Sequence, residues 1–149
     1  MMLQLHSSPS ERDQVIETMI TLTHLSNLNR AIVAGQGSTE LYLALRRRGL
    51  VRIALPSMFR LRNGRCAVGL INVETSLAEF ELSLAQIAPS LGVAATIAVL
   101  IKSRESGLAL KIRKSLEQLG FRIEAGVRCQ QGLVLSGHRQ GFFQMEHAA

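Results

Sequence analysis

The chain has 149 residues, 47% hydrophobic and 19% charged, enough for a single domain with a sizeable core and incompatible with wholesale disorder. Its 17 Lys and Arg, 14 of them Arg, stand against 11 acidic residues for a net charge of +6, and only one of the acids, Asp13, is an aspartate. Mechanisms that need an aspartate pair, an aspartate magnesium cradle or an aspartate-ended triad are therefore excluded, and two cysteines make neither a disulfide framework nor a zinc quartet.

Ser10, with Asp13 three residues on, predicts a helix start of the capping-box kind. Val15, Ile16, Met19, Ile20 and Leu22 then recur at helical spacing until Asn27 to Arg30 break the pattern. This 1–27 segment is expected to pack on one domain spanning 1–149. Ala31 to Ala34 form a short apolar run, the signature of a parallel strand covered on both faces. Gly35-Gln36-Gly37 follow, and Ser38 is placed to cap a helix that reaches Arg48 and stops at Gly49. Val51, Ile53 and Leu55 alternate with Arg52 and Ala54, as in a strand with one wetter face.

Asn63-Gly64 is a tight-turn dipeptide that would fold Phe59 to Arg62 back on the next strand as a hairpin. That strand, Cys66 to Val73, leads to a capping box of Ser76 and Glu79 and a stripe of Leu77, Phe80, Leu84 and Ile87, ended by Pro89 and Gly92. Ala94 to Ile101 reads as another buried strand. Leu108, Ile112, Leu116 and Leu119 mark a helix stopped by Gly120. Phe121 to Val127 and Cys129 to Gly137 are strands too close in sequence for a parallel crossover, so they are antiparallel. The plan is an α/β sandwich of three layers with a mostly parallel sheet and a closing antiparallel hairpin.

Gly35-Gln36-Gly37-Ser38 joins a buried strand to a helix. Glycines there admit a ligand close to the backbone at the carboxyl edge of the sheet, but a ligand-free tight turn accounts for them equally. No G-x-S-x-G nucleophile motif and no phosphate loop with its lysine are present. A dinucleotide fingerprint would require a third glycine where Glu40 stands and an acid where Leu55 stands.

The succession of glycine loop, second strand, strand-helix-strand-helix and final hairpin resembles the class I S-adenosylmethionine-dependent methyltransferases. The likeness is carried by Arg30 to Gly49 and by Leu91 to Gly137, with its helix, Leu119-Gly120-Phe121 and strand pair, and it covers 28–139 in pattern. It implies a Rossmann-like sheet with one reversed strand and a cofactor site above the loop, formed by Gly35, Gln36, Gly37, Ser38 and Asn72. The sequence departs from that pattern where the cofactor would be gripped. Val33 replaces the acid before the first glycine, and Thr39 stands where a third glycine often falls. Leu55 replaces the acid that receives the ribose hydroxyls, and no Asp or Glu lies between Glu40 and Glu74. A hydroxyl facing an apolar side chain loses about 1–3 kcal/mol per unmade hydrogen bond. The ten residues 56–65 are too few for the family's third strand and its helix, so that strand is expected to be missing and the second strand to lie at an open edge.

The remaining candidates each carry a plain alternative. Asn72, with Glu74 and Thr75, ends a strand where the family often positions substrate, or simply precedes a helix cap. Glu40 either reaches a ligand or favours the helix N-terminus. Lys102, Ser103, Arg104, His138 and Arg139 would form a cationic rim, or are solvated loop charges. Arg46-Arg47-Arg48 with Arg52, Arg60, Arg62 and Arg65 permit nucleic-acid binding, though no recognition motif supports it. Cys66 and Cys129 read as small core residues. His6, His24, His138 and His147 share no metal-ligand spacing.

The reading is a methyltransferase-like domain with an eroded S-adenosylmethionine site, acting as a non-catalytic binding, regulatory or assembly module. An active small methyltransferase and a basic nucleic-acid-binding domain are the alternatives. No bound cofactor is expected on the first reading and S-adenosylmethionine on the second. The expected partner is a second copy or another protein. With no signal segment and no membrane span in the sequence, a cytoplasmic location and no membrane partner are expected.

Overall fold

The computed structural model describes residues 9–58 and 64–139. Among these residues four helices and six strands follow in the order α1 (Pro9–Thr23), β1 (Ala31–Gly35), α2 (Ser38–Arg47), β2 (Ile53–Ala54), β3 (Cys66–Val73), α3 (Leu77–Ile87), β4 (Leu91–Ile101), α4 (Leu108–Gln118), β5 (Phe121–Cys129) and β6 (Gly132–Arg139). A 3₁₀ turn at Ala88–Ser90 joins α3 to β4. The strands form one sheet in the order β2-β1-β3-β4-β6-β5. The first four run parallel, and β6 is antiparallel to both β4 and β5.

Strand alternation divides the core in two. Ala31, Val33, Val68, Leu70, Ala98 and Leu100 point to the layer of α1 and α2, where they meet Val15, Ile16, Met19, Leu41 and Leu45. Their neighbours Ile32, Ala34, Ile71, Val73, Ile97, Val99 and Ile101 point to the other face, against Phe80, Leu84 and Ile87 of α3 and Leu108, Ile112 and Leu116 of α4. Strands buried on both faces read as unbroken apolar runs for this reason. None of the described helices is long and apolar enough to cross a membrane.

The three-layer sandwich and the antiparallel hairpin match the sequence reading, while several boundaries differ. α1 begins at Pro9, which puts Ser10 inside the helix instead of at its cap. The helix ends at Thr23, where His24 turns left-handed (φ 55°), earlier than Asn27. At α2 the cap position belongs to Gly37, which has no side chain to offer, and Ser38 is the first helical residue. The Ser76–Glu79 box forms with a twist: Ser76 Oγ accepts from Glu79 N (3.1 Å), but Glu79 Oε1 accepts from Glu74 N (3.0 Å) and Thr75 N (2.9 Å). β4 starts at Leu91, and the hairpin turns at Gln130-Gln131.

β2 is two residues long and ends the sheet among the described residues, so no third strand of the family type stands beside it. The side chains of Val51 and Arg52 are exposed, and the Arg52 carbonyl still accepts from Ala31 N of β1 at 2.9 Å. The hairpin expected over Phe59 to Arg62 lies outside the described residues, as do His6, Arg60, Arg62 and His147.

Candidate functional site

The glycine loop leaves β1 at the carboxyl edge of the sheet. Gly35 pairs with Asn72 across β1 and β3 and has φ 98°, a conformation that favours glycine. A Cβ there would stand 2.2 Å from the Asn72 carbonyl oxygen and 3.0 Å from its amide nitrogen. Gly35 is thus required by the neighbouring strand, and the tight-turn reading accounts for it without a ligand. Gly37 (φ 74°) is less crowded: its nearest neighbour would be Asn72 Nδ2 at 3.6 Å.

Asn72 follows Val68 and Leu70 on the side of β3 that faces α1 and α2. It is 7% exposed, and its Oδ1 is sealed from solvent with no hydrogen-bond partner. An unmet buried acceptor costs about 1–3 kcal/mol. Over this residue, at the carboxyl ends of β1, β3 and β4, a cavity of about 530 Å³ opens between α1 and α2. Gly37 and Asn72 belong to its lining; Gly35, Gln36 and Ser38 do not. Val15, Ile16, Leu41 and Leu100 make its apolar wall, and Glu40, Arg47 and Lys102 stand at it with Arg12 and Asp13 of α1.

Two of the charges that line the cavity, Asp13 and Lys102, are held in ion pairs. Asp13 pairs with Arg48 at 3.1 Å, and Arg48 also binds Glu17. The Glu17 hydrogen bond raises the Arg48 pKa above its ordinary value. Lys102 pairs with Glu74 at 3.1 Å. Glu74 and Thr75 spend their backbone N–H groups on Glu79, which favours the plain helix-cap reading of that segment.

The expected cationic rim does not assemble. β6 is antiparallel to β4, so His138 lies beside Thr96 while Lys102 follows Ile101 at the opposite end. His138 Nδ1 is 3.3 Å from Thr96 Oγ1. Arg139 lies over the Phe121 ring (4.7 Å) and donates through Nη1 to the carbonyls of Leu91 and Gly92, both at 3.3 Å. Burial lowers its pKa. Within the proposed arginine patch, Arg46 stands over Tyr42 (5.9 Å) and donates to the Val51 carbonyl (3.1 Å), Arg48 is tied to α1, and Arg52 and Arg65 precede β2 and β3 at the amino edge. Cys66 and Cys129 are buried and free. Burial raises the Cys66 thiol pKa, against a smaller opposite pull from Arg30. No three potential metal ligands cluster among the described residues.

What the sequence reading missed is the role of α1. Val15 and Ile16 read there only as core residues, but they also wall the cavity. No local signal marks this, since it depends on how α1 docks beside α2.

No protein-family model and no curated protein sequence matches the chain. Solved structures do. A SAM-dependent methyltransferase from Aquifex aeolicus superposes with a TM-score of 0.54 at 12% identity, over 89% of this chain and 98% of that one. The ribosomal protein L11 methylase from Lactobacillus delbrueckii subsp. bulgaricus gives 0.62 at 14% identity, over 86% and 78%. The chain has the class I methyltransferase fold. A third structure with this fold, the [4+2]-cyclase SpnF, gives 0.61 at 13% identity, over 92% and 85%. The methyltransferase fold thus also appears in a protein described by another chemistry, and function must be argued from the site.

Leu55, just past β2, is half-buried against the α1–α2 core and offers no acceptor to a ribose. Val33 is fully buried. The cavity takes none of its lining from the end of β2, where the family resemblance would place the nucleoside sugar.

Proposed function

We propose that this chain is a non-catalytic methyltransferase-fold module that binds a ligand or partner without transferring a methyl group. The observation that carries the reading is Leu55, an apolar side chain at the end of β2 with the cavity turned away from it toward β3 and β4. The Asn72 backbone against Gly35 supports it, because the first loop glycine is occupied by strand packing. The β2 edge is only two residues long and gives a second copy few backbone groups to pair with, which favours another protein or a small molecule over self-association. Isothermal titration with S-adenosylmethionine at millimolar concentration tests the reading. No saturable heat is expected, and binding weakened by Gly37→Val would overturn it in favour of an active enzyme holding the cofactor through Gly35, Gln36, Gly37, Ser38 and Asn72.

A second reading is favoured by the opposite edge of the sheet. Arg30, Arg52 and Arg65 immediately precede β1, β2 and β3, and Arg122 and Arg139 lie at the same edge on β5 and β6. Residues 24–30, 48–52, 64–65, 88–92, 119–122 and 137–139, which form this edge, include no acid. Such a row suits a polyanion, and nucleic-acid binding there would fall steeply with salt. Fluorescence anisotropy with a labelled single-stranded RNA decides it: the double variant Arg30→Glu/Arg52→Glu should abolish binding, and salt-insensitive or absent binding by the parent chain removes the reading.

A further inference from the structure

We propose that the cavity between α1 and α2 binds a small zwitterion, an aliphatic chain with an ammonium group at one end and a carboxylate at the other. The inference rests on the non-catalytic reading, which leaves this space to a ligand other than S-adenosylmethionine.

Five charged side chains line the cavity of about 530 Å³: Arg12 and Asp13 of α1, Glu40 and Arg47 of α2, and Lys102 after β4. Three of them are engaged within the protein. Asp13 pairs with Arg48 and Lys102 with Glu74, each at 3.1 Å, and Arg12 has an interaction of its own. Among the described residues, the Glu40 and Arg47 side chains enter no ion pair and no hydrogen bond. Both stand on α2, seven residues apart, which brings them to one face of the helix about 10 Å from each other along its axis. Leu43 and Ala44 fall between them on that face, and Leu43 is 44% exposed. α2 thus presents an anion, an aliphatic stretch and a cation in line. Val15, Ile16, Leu41 and Leu100 continue the aliphatic surface around the cavity.

A ligand fitted to this wall carries opposite charges about 10 Å apart, with methylenes between them. A short peptide suits it less, because its amides would be desolvated against Val15, Ile16 and Leu100 without partners. The ammonium belongs beside Glu40 and the carboxylate beside Arg47. Lys102 is balanced by Glu74 and Asp13 by Arg48, so neither opposes the ligand as a bare charge would. Asp13 reaches Arg48, which sets its neighbour Arg12 at the carboxylate's end of the cavity, where a further cation adds attraction. A molecule with a single charge leaves Glu40 or Arg47 unanswered. Helix-dipole compensation favours the same order of charges on α2 without any ligand, and titration separates the two readings.

The probe is ω-aminooctanoic acid, whose charges lie on either side of seven methylenes; octanoic acid and octylamine, each lacking one charge, are the controls. Each is titrated into the full chain at neutral pH, and the methyl resonances of Val15, Ile16, Leu41 and Leu43 are followed by NMR. The zwitterion should shift these methyls saturably and bind about three- to fivefold more tightly than either control, as expected for one further exposed ion pair. Salt at about 1 M should erase the difference. Glu40→Gln should bring the zwitterion down to octanoic acid's affinity, and Arg47→Gln down to octylamine's. Both side chains are exposed, so neither variant threatens the fold. Ala44→Phe, which fills the space between them, should abolish the response to all three compounds. Unmoved methyls, equal affinity for the zwitterion and its controls, or a preference that survives both Glu40→Gln and Arg47→Gln would each overturn the proposal. Displacement of the zwitterion by S-adenosylmethionine would support the site while overturning the non-catalytic reading. Silence from both the zwitterion and S-adenosylmethionine would overturn the site and leave that reading standing.

Discussion

Replacing Gly35 by alanine separates two costs that are usually merged at a loop glycine. The first is backbone strain: at φ 98° an L-residue sits in the left-handed region, at about 1–2 kcal/mol. The second is steric, because the new Cβ would meet the Asn72 carbonyl oxygen at 2.2 Å. That neighbour is backbone held in the β1–β3 ladder, so it yields only by shifting a central strand, at about 1–3 kcal/mol. The stiffer unfolded chain returns about 0.4–1 kcal/mol, leaving a net loss of about 3 kcal/mol. Gly49 supplies the control. Its φ is 90° with nothing within 4 Å of an added Cβ, so Gly49→Ala should cost about 1 kcal/mol. For a chain of this size the Gly35 loss corresponds to a fall in Tm of about 6–12 °C. Urea unfolding followed by circular dichroism, with both variants compared at equal m, reads the difference. If Gly35→Ala is no worse than Gly49→Ala, Asn72 does not press on the loop, and the assignment of Gly35 to strand packing fails.

Three further outcomes are expected. Ser76→Ala removes the bond that Ser76 Oγ accepts from Glu79 N and should lower stability by about 1 kcal/mol in the same urea assay. Arg139→Ala loses the ring contact with Phe121 and the bonds to Leu91 and Gly92, for about 1–3 kcal/mol; Arg139→Lys should recover only part of it, since an ammonium lacks the planar fork. Cys66, whose thiol pKa is raised by burial, keeps its proton in the folded state at a pH where the unfolded state has lost it. Its contribution is therefore intact below the ordinary value of 9.0 and is lost as pH rises above it. Stability measured from pH 8 upward should fall less steeply in Cys66→Ala than in the parent, and parallel curves would refute the assignment.

The sheet was legible because its strands are covered twice. Cys66–Val73 and the apolar run before Ile101 show as near-continuous hydrophobic stretches, and the turn between β5 and β6 is too short for anything but a reversal. The ends of helices were less so. Ser10 and Ser38 have the right chemistry for caps, yet α1 has already begun at Pro9 and Gly37 holds the cap of α2, since a cap is chosen by where the chain enters and not by the residue alone. For the site, Asn72 and Gly37 could be picked from the loop and the strand end, and the structure brings both to one cavity. Val15 and Ile16 could not, because a helical stripe looks the same whether it faces a strand or an opening beside one. His138 and Arg139 were misplaced with Lys102 because which end of a strand they reach depends on pairing partners distant in the chain.

The position of β6 between β4 and β5 has a consequence for how the protein is made. β4, with Ile97 to Ile101 almost wholly apolar, keeps one flank without a neighbour until 132–139 have left the ribosome and slotted in beside it. During that interval of synthesis a greasy ribbon with free amides is open to any similar strand nearby. Premature stop codons or proteolytic nicks between α4 and β6 would prolong it, and their products should go to inclusion bodies even though most of the fold's residues are already present.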